Sequence, residues 1–255
     1  MAIEVTEARQ HGGASICFVR MIRRLPHVGV HVVLQSVSKS YLAQGPGGRG
    51  SRVDALKEVS LELAPGSFTA LVGPSGCGKS TLLNLLGALD RPGSGRVLVD
   101  GRDLAKLTET DRDLYRRRTA GTIFQFFNLL PTMTALENVA LPLLLDDVRP
   151  DEADARAAVG LAHVGMADRL AAFPYELSGG QMQRVAVARA LIHEPGLILA
   201  DEPTGNLESK TGAQVLDLLA GLSRTRGITV VMATHSTEAA SYAGGVVRLR
   251  DGRLA

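Results

Sequence analysis

Gly73-Pro74-Ser75-Gly76-Cys77-Gly78-Lys79-Ser80 is the stretch whose reading decides the fold. It fits Gly-x-x-x-x-Gly-Lys-Ser/Thr, a loop that cradles phosphate. Phe68-Thr69-Ala70-Leu71-Val72 precedes it and reads as a buried strand; Thr81-Leu82-Leu83-Asn84-Leu85-Leu86 follows and reads as a helix. Glycines at 73, 76 and 78 let the backbone turn its N–H groups inward around an anion, at the positive end of a helix dipole. Gly73, Pro74, Ser75, Gly76, Cys77, Gly78, Lys79, Ser80 and Thr81 are therefore the candidate phosphate-binding residues. Lys79 is placed to reach the outer phosphates, and the Ser80 hydroxyl to bind Mg²⁺.

Two further motifs lie downstream. Leu197-Ile198-Leu199-Ala200 is a continuous apolar run, the pattern of a parallel strand buried on both faces. Asp201-Glu202 follows it directly, and an acidic pair at the carboxyl end of such a strand belongs beside the phosphate loop. Asp201 suits Mg²⁺, and Glu202 is placed to polarise an attacking water as general base. Leu177-Ser178-Gly179-Gly180-Gln181 opens a helix running through Val185, Ala188 and Ile192. Ser178 and Gln181 form a capping-box pattern. The box does not explain glycines at the first helical positions, where they are entropically costly. Both readings stand: the cap forms, and the same helix end binds an anion.

These motifs, in this order, resemble the ATP-binding subunit of an ABC transporter over residues 31 to 255. The resemblance implies an α/β chain: a RecA-like P-loop NTPase core, an antiparallel β subdomain and an inserted α-helical signature subdomain. An extension would occupy 1–29 and the ATP-binding domain 30–255, with core at 30–124 and 182–255 and the insertion at 125–181. It implies ATP and Mg²⁺ as cofactors, and ATP hydrolysis with Glu202, His235, Lys79 and Gln125 as catalytic residues. Ser80, Gln125 and Asp201 would hold the metal. Tyr41 matches the aromatic that stacks on adenine, the alternative being an ordinary strand-end tyrosine. Gln125 matches the Q-loop, which senses the membrane partner, and His235 the residue that contacts the γ-phosphate. Ser178, Gly179, Gly180 and Gln181 would complete the ATP site of a second copy, so a homodimer is implied. Integral membrane permease subunits would be the other partner, with the chain peripheral on the cytoplasmic face of the membrane. Asn206-Leu207-Glu208 matches the D-loop at the dimer seam. The chain departs from the family pattern at Glu208 and Ser236, where Asp is usual or frequent.

Phe124-Gln125-Phe126-Phe127-Asn128-Leu129-Leu130-Pro131, with Thr134 to Val139 and Leu141-Pro142-Leu143, resembles the lipoprotein-releasing and macrolide-export branch. Phe126, Phe127 and Leu129 read equally as core of the insertion or as a groove for a permease helix. An ATP-dependent switch on a membrane complex without solute transport is the alternative, and a soluble ABC protein acting on nucleic acid a further one.

Working outward, Val53 to Leu63 alternates as a half-buried strand does. His31 to Leu34 begins the first strand, and Gly45 to Gly50 reads as a loop. Arg96 to Val99 is a strand ending in the turn Asp100-Gly101. Thr110 to Ala120 reads as a helix whose Arg116-Arg117-Arg118 forms a solvated face. Thr122 to Phe124 reads as a strand. Thr134 to Leu145 and Pro150 to Val164 read as helices. Val215, Leu218, Leu219 and Leu222 mark an amphipathic helix; Thr229 to Ala233 and Val246 to Leu249 read as strands.

Composition agrees. Hydrophobic residues are 45% and charged residues 21% of 255, so the chain is globular. A net charge of +2 offers no broad nucleic-acid surface, and no nucleic-acid partner is expected. Two cysteines make no disulfide framework and fit a reducing cytosol. No apolar run approaches the ~18 residues of a membrane span. The chain is expected to be soluble and to reach any membrane through a partner.

Overall fold

The computed structural model describes residues 29–44 and 50–255. The expected extension, apart from Gly29, and residues 45–49 of the expected loop lie outside the described residues. The described strands are β1 (Val32–Gln44), β2 (Gly50–Leu63), β3 (Phe68–Val72), β4 (Ser94–Val99), β5 (Arg102–Asp103), β6 (Ala120–Ile123), β7 (Leu197–Asp201), β8 (Thr229–Thr234), β9 (Gly245–Arg250) and β10 (Arg253–Leu254). The helices are α1 (Lys79–Leu86), α2 (Glu109–Arg118), α3 (Ala135–Leu144), α4 (Pro150–His163), α5 (Gly179–Leu191), α6 (Ser209–Arg226) and α7 (Thr237–Ala240).

The strands form two sheets. One is four-stranded and antiparallel, in the order β2-β1-β4-β5. The other is six-stranded, in the order β10-β9-β3-β8-β7-β6, and parallel except for β10. Side chains alternate across each parallel strand. Leu197, Leu199, Val231 and Ala233 therefore face one apolar cluster, shared with α1 and the antiparallel sheet. Ile198, Ala200, Val230 and Met232 face the other, shared with α3 to α6. Burial on both faces is why these strands read as unbroken apolar runs.

Turn chemistry fixes the hairpins. Asp100 and Gly101 both take left-handed φ, 48° and 76°, as do Asp251 and Gly252 at 51° and 80°. Those are the angles of a two-residue hairpin turn.

Several boundaries differ from the sequence reading. The first strand continues through Tyr41 to Gln44 by absorbing register shifts after Leu34 and Val37. Helix α2 starts at Glu109, because the Thr108 hydroxyl accepts from Asp111 N. It ends at Arg118, and Ala120 opens β6 by pairing with Leu197. Phe124 lies past the end of β6. Strand β8 stands between β3 and β7, so the acidic pair lies one strand away from the phosphate-loop strand.

The arginine run is a solvent-facing edge, as expected, but each member also has a partner. Arg116 donates to Ala88 O, Arg117 to Leu145 O, and Arg118 pairs with Asp146 at 3.0 Å. The run stitches α2 to the chain beyond α1 and to the end of α3, tying the core to the helical layer. In that layer α3, α4 and α5 pack on one another, and α5 runs through residue 181 without a break. Asn138 is fully buried in α3. Its amide oxygen accepts from Leu130 N at 2.8 Å, and its amide nitrogen donates toward Leu130, Met133 and Thr134 carbonyls.

Candidate functional site

The phosphate loop joins β3 to α1. Gly78 is the N-cap of α1, at φ 108°, and no side chain caps the helix. A Cβ there would lie 2.4 Å from Ala55 O on β2, so the antiparallel sheet presses on the loop as closely as glycine allows. The first N–H groups of α1 are thus left for an anion. The Lys79 ammonium, largely buried, donates to Gly73 O at 2.8 Å and Pro74 O at 3.1 Å, held across the loop mouth.

Five segments meet at a cleft of about 540 Å³, lined by Ala55, Ser75, Gly76, Gly78, Lys79, Ser80, Thr81, Gln125, Asp201, Glu202 and His235. Its size is that of a small-ligand site. Asp201 ends β7 and shares the cleft with Ser80. Burial pushes its carboxyl above the usual carboxylate range, and the Glu202 charge adds to this; Ser80 and Lys79 pull the other way. Glu202 sits at φ 45° with its N–H bonded to Ala233 O. Its Oε1 accepts from His235 Nδ1 at 2.9 Å, so the exposed imidazole orients a largely buried carboxylate. Ser80, Asp201 and Gln125 offer hard oxygen donors with one carboxylate, the donor set Mg²⁺ takes alongside phosphate.

Other expected residues lie apart from this cleft. Cys77 is buried under the loop. Tyr41 is partly exposed on β1, its hydroxyl donating to Asp90 Oδ2 at 2.9 Å and touching the Thr81 side chain, with Lys39 over its ring. Burial and then the Asp90 hydrogen bond push its pKa up. Ser178, Gly179, Gly180 and Gln181 stand at the start of α5, outside the cleft lining. The capping box forms: Gln181 N donates to Ser178 Oγ, and Gln181 Oε1 accepts from Ser178 N. Ser178 is exposed. Gly180 has a reason the sequence hid: a Cβ there would come 2.6 Å from Thr211 Cγ2 on α6.

The departures at 208 and 236 resolve differently. Ser236 Oγ caps α7 by accepting from Ala239 N, as an Asp would. Glu208 is the N-cap of α6 but makes no side-chain cap, its chain being longer than the favoured Asp.

A second groove, about 570 Å³, opens beside the turn that follows β6, with Phe124, Asn128, Leu141, Pro142, Leu145, Arg189 and His193 among its lining. Phe126, Phe127 and Leu129 are not in it. Phe126 points to solvent, Leu129 packs on the core, and the Phe127 ring reaches toward Gly179. The residues missed from the sequence are Ala55, Arg189 and Asn138, each a common residue type with no spacing signal.

A parallel sheet, a Gly-rich loop capping a helix, and an acidic pair across one strand define a P-loop nucleotide-binding fold. The ABC transporter family model matches residues 56–205. The chain belongs to the ABC transporter family, as one of its ATP-binding cassettes. It is 50% identical over 213 residues to the lipoprotein-releasing system ATP-binding protein LolD of Geobacter metallireducens, covering 84% of this chain and 95% of that one. It is 44% identical over 225 residues to the macrolide export ATP-binding/permease protein MacB of Syntrophobacter fumaroxidans, covering 87% of this chain and 30% of that protein. Among solved structures, the ATP-binding cassette MJ0796 in a dimeric post-hydrolysis state bound to ADP and Pi matches with TM-score 0.80 at 41% identity. The match covers 88% of this chain and 96% of that one. Among the described residues, no helix is long and apolar enough to cross a membrane.

Proposed function

We propose that two copies of this chain close around ATP and Mg²⁺, hydrolyse the nucleotide, and drive an integral membrane permease of the export or lipoprotein-release kind. The carrying observation is the split between the two anion sites. The phosphate loop, Gln125, Asp201, Glu202 and His235 share one cleft, while the exposed Ser178 helix end lies outside it. A second copy turned head to tail brings that end over the triphosphate.

In this reading Lys79 leaves the Gly73 and Pro74 carbonyls for the β- and γ-phosphates. Ser80, Asp201 and Gln125 hold Mg²⁺, which supplies charge neutralisation on the phosphates. Glu202 accepts the proton of the attacking water, and His235 keeps that carboxylate aimed. The Tyr41 ring takes the adenine. The groove beside Phe124 and Pro142 receives a permease helix, which places the chain peripherally on the cytoplasmic face of the membrane. The named relatives in lipoprotein release and macrolide export support the branch.

Glu202→Gln keeps the shape of the site and removes the base. It is expected to bind ATP normally, to lose on the order of 10²–10⁴ in turnover, and to accumulate as an ATP-dependent dimer in light scattering. Monomers with ATP and full turnover would sink the role given to Glu202.

A further inference from the structure

The Arg189 guanidinium lies near the C-terminal end of α5, far along the helix that Ser178 caps. Its Nη1 donates to Asn128 O at 2.6 Å and its Nη2 to Phe127 O at 2.8 Å. Both acceptors belong to residues with left-handed backbone, φ 61° for Phe127 and 49° for Asn128. Consecutive non-glycine residues in that region are strained and persist only where the surroundings hold them. Among the described residues no carboxylate pairs with Arg189, so a largely buried charge serves two neutral carbonyls. A planar fork matches two adjacent carbonyls in a way an ammonium cannot.

The same turn touches the other end of α5. The tip of the Phe127 ring is 3.8 Å from where a Cβ would stand on Gly179, and Asn206 O is 3.6 Å from that point. Asn206 Nδ2 in turn donates to Gln125 O at 3.0 Å. The turn after Gln125 is thus fixed to α5 at both ends of the helix, by its carbonyls at Arg189 and its ring at Gly179.

We propose that Arg189 is a positioning residue that makes the Gln125 turn and the Ser178 helix end move as one body, so that nucleotide in the cleft is felt at the helix end. This rests on the reading that Gln125 meets the nucleotide and its metal. The left-handed turn gives the body a fixed shape, and the fork removes the slack between its ends.

Hydrogen–deuterium exchange on the full-length chain, with and without ATP and Mg²⁺ and at a dilution where light scattering shows monomers, so that no second copy covers the helix end, tests this. In the unmodified protein, nucleotide is expected to slow exchange in peptides covering 73–81, 125–129 and 178–182. Arg189→Ala should keep the slowing at 73–81 and an ATP affinity within about twofold, and lose most of it at 178–182. Turnover should fall on the order of tenfold to a hundredfold with KM unchanged, the scale of a small misplacement. Arg189→Lys keeps charge and stem, folds if the alanine variant does not, and should show the same loss for want of the fork. Slowing at 178–182 that survives in Arg189→Lys, or that is absent from the unmodified protein while 73–81 responds, overturns the proposal. No response at 73–81 in the unmodified protein would instead refute the nucleotide reading beneath it.

Discussion

Gly180→Ala separates two reasons for the same glycine. One lies inside the chain: an added Cβ would meet Thr211 Cγ2 at 2.6 Å, while Thr211 Cβ and Oγ1 would stand at 3.5 Å, ordinary contact. The other lies outside it, in the proposed approach of a second copy's triphosphate to this helix end. Overpacking of this kind costs about 1–3 kcal/mol. Alanine in place of glycine in a helix returns about 0.5–1 kcal/mol. The variant should therefore be destabilised by roughly 0.5–2 kcal/mol in urea unfolding. Thr211→Ser removes only the offending methyl, so the double variant should recover most of that stability. Turnover should not recover with it, because the new Cβ still covers N–H groups that the partner's phosphate needs. Phosphate release by the double variant, beside its unfolding midpoint, gives the answer. If activity returns along with stability, Gly180 is a packing glycine, and the assignment of this helix end to a second ATP site fails.

Asn138→Ala should cost about 2–4 kcal/mol in urea unfolding, since a fully buried amide leaves Leu130 N and neighbouring carbonyls unsatisfied; a loss below about 1 kcal/mol would refute the network. Burial pushes His193 down from 6.5 to about 4. A folded pKa below the unfolded one means stability is intact above pH 6.5 and is lost as pH falls through about 4. At about 1.4 kcal/mol per tenfold in proton affinity, that loss approaches about 3 kcal/mol. Stability measured across this window should fall in the unmodified protein and stay flatter in His193→Leu. Equal slopes would show that the imidazole does not carry the effect.

The parts legible in the sequence were those where chemistry demands a residue type at fixed spacing. The phosphate loop, Asp201-Glu202 and the Ser178–Gln181 box appeared where their spacing put them. The Asp100-Gly101 turn was legible for the same reason, since two left-handed residues admit few types. Burial on both faces made Leu197 to Ala200 readable as a central strand. What stayed hidden depends on partners distant in sequence. Nothing local says that Arg117 bonds Leu145 O, or that Arg189 reaches back to Phe127. An arginine run reads as a wet face and nothing more until the carbonyls it meets are known. Gly180 shows only its free N–H groups in the sequence, because Thr211 lies on another helix. The bulges in β1 lengthened that strand beyond what a strict two-residue period reveals.

Strand β3, which carries the phosphate loop, is flanked by β8 and β9. Both are made more than half the chain later than β3 itself. During synthesis the loop's supporting strand therefore emerges with neither neighbour, its apolar edge open until Thr229 and then Gly245 leave the ribosome. A nascent chain stalled in the helical layer has every phosphate-loop residue and the antiparallel sheet against them, but neither parallel neighbour of β3. The strand that carries the phosphate loop is therefore among the last parts of the sheet to be enclosed, although it is among the first to be made.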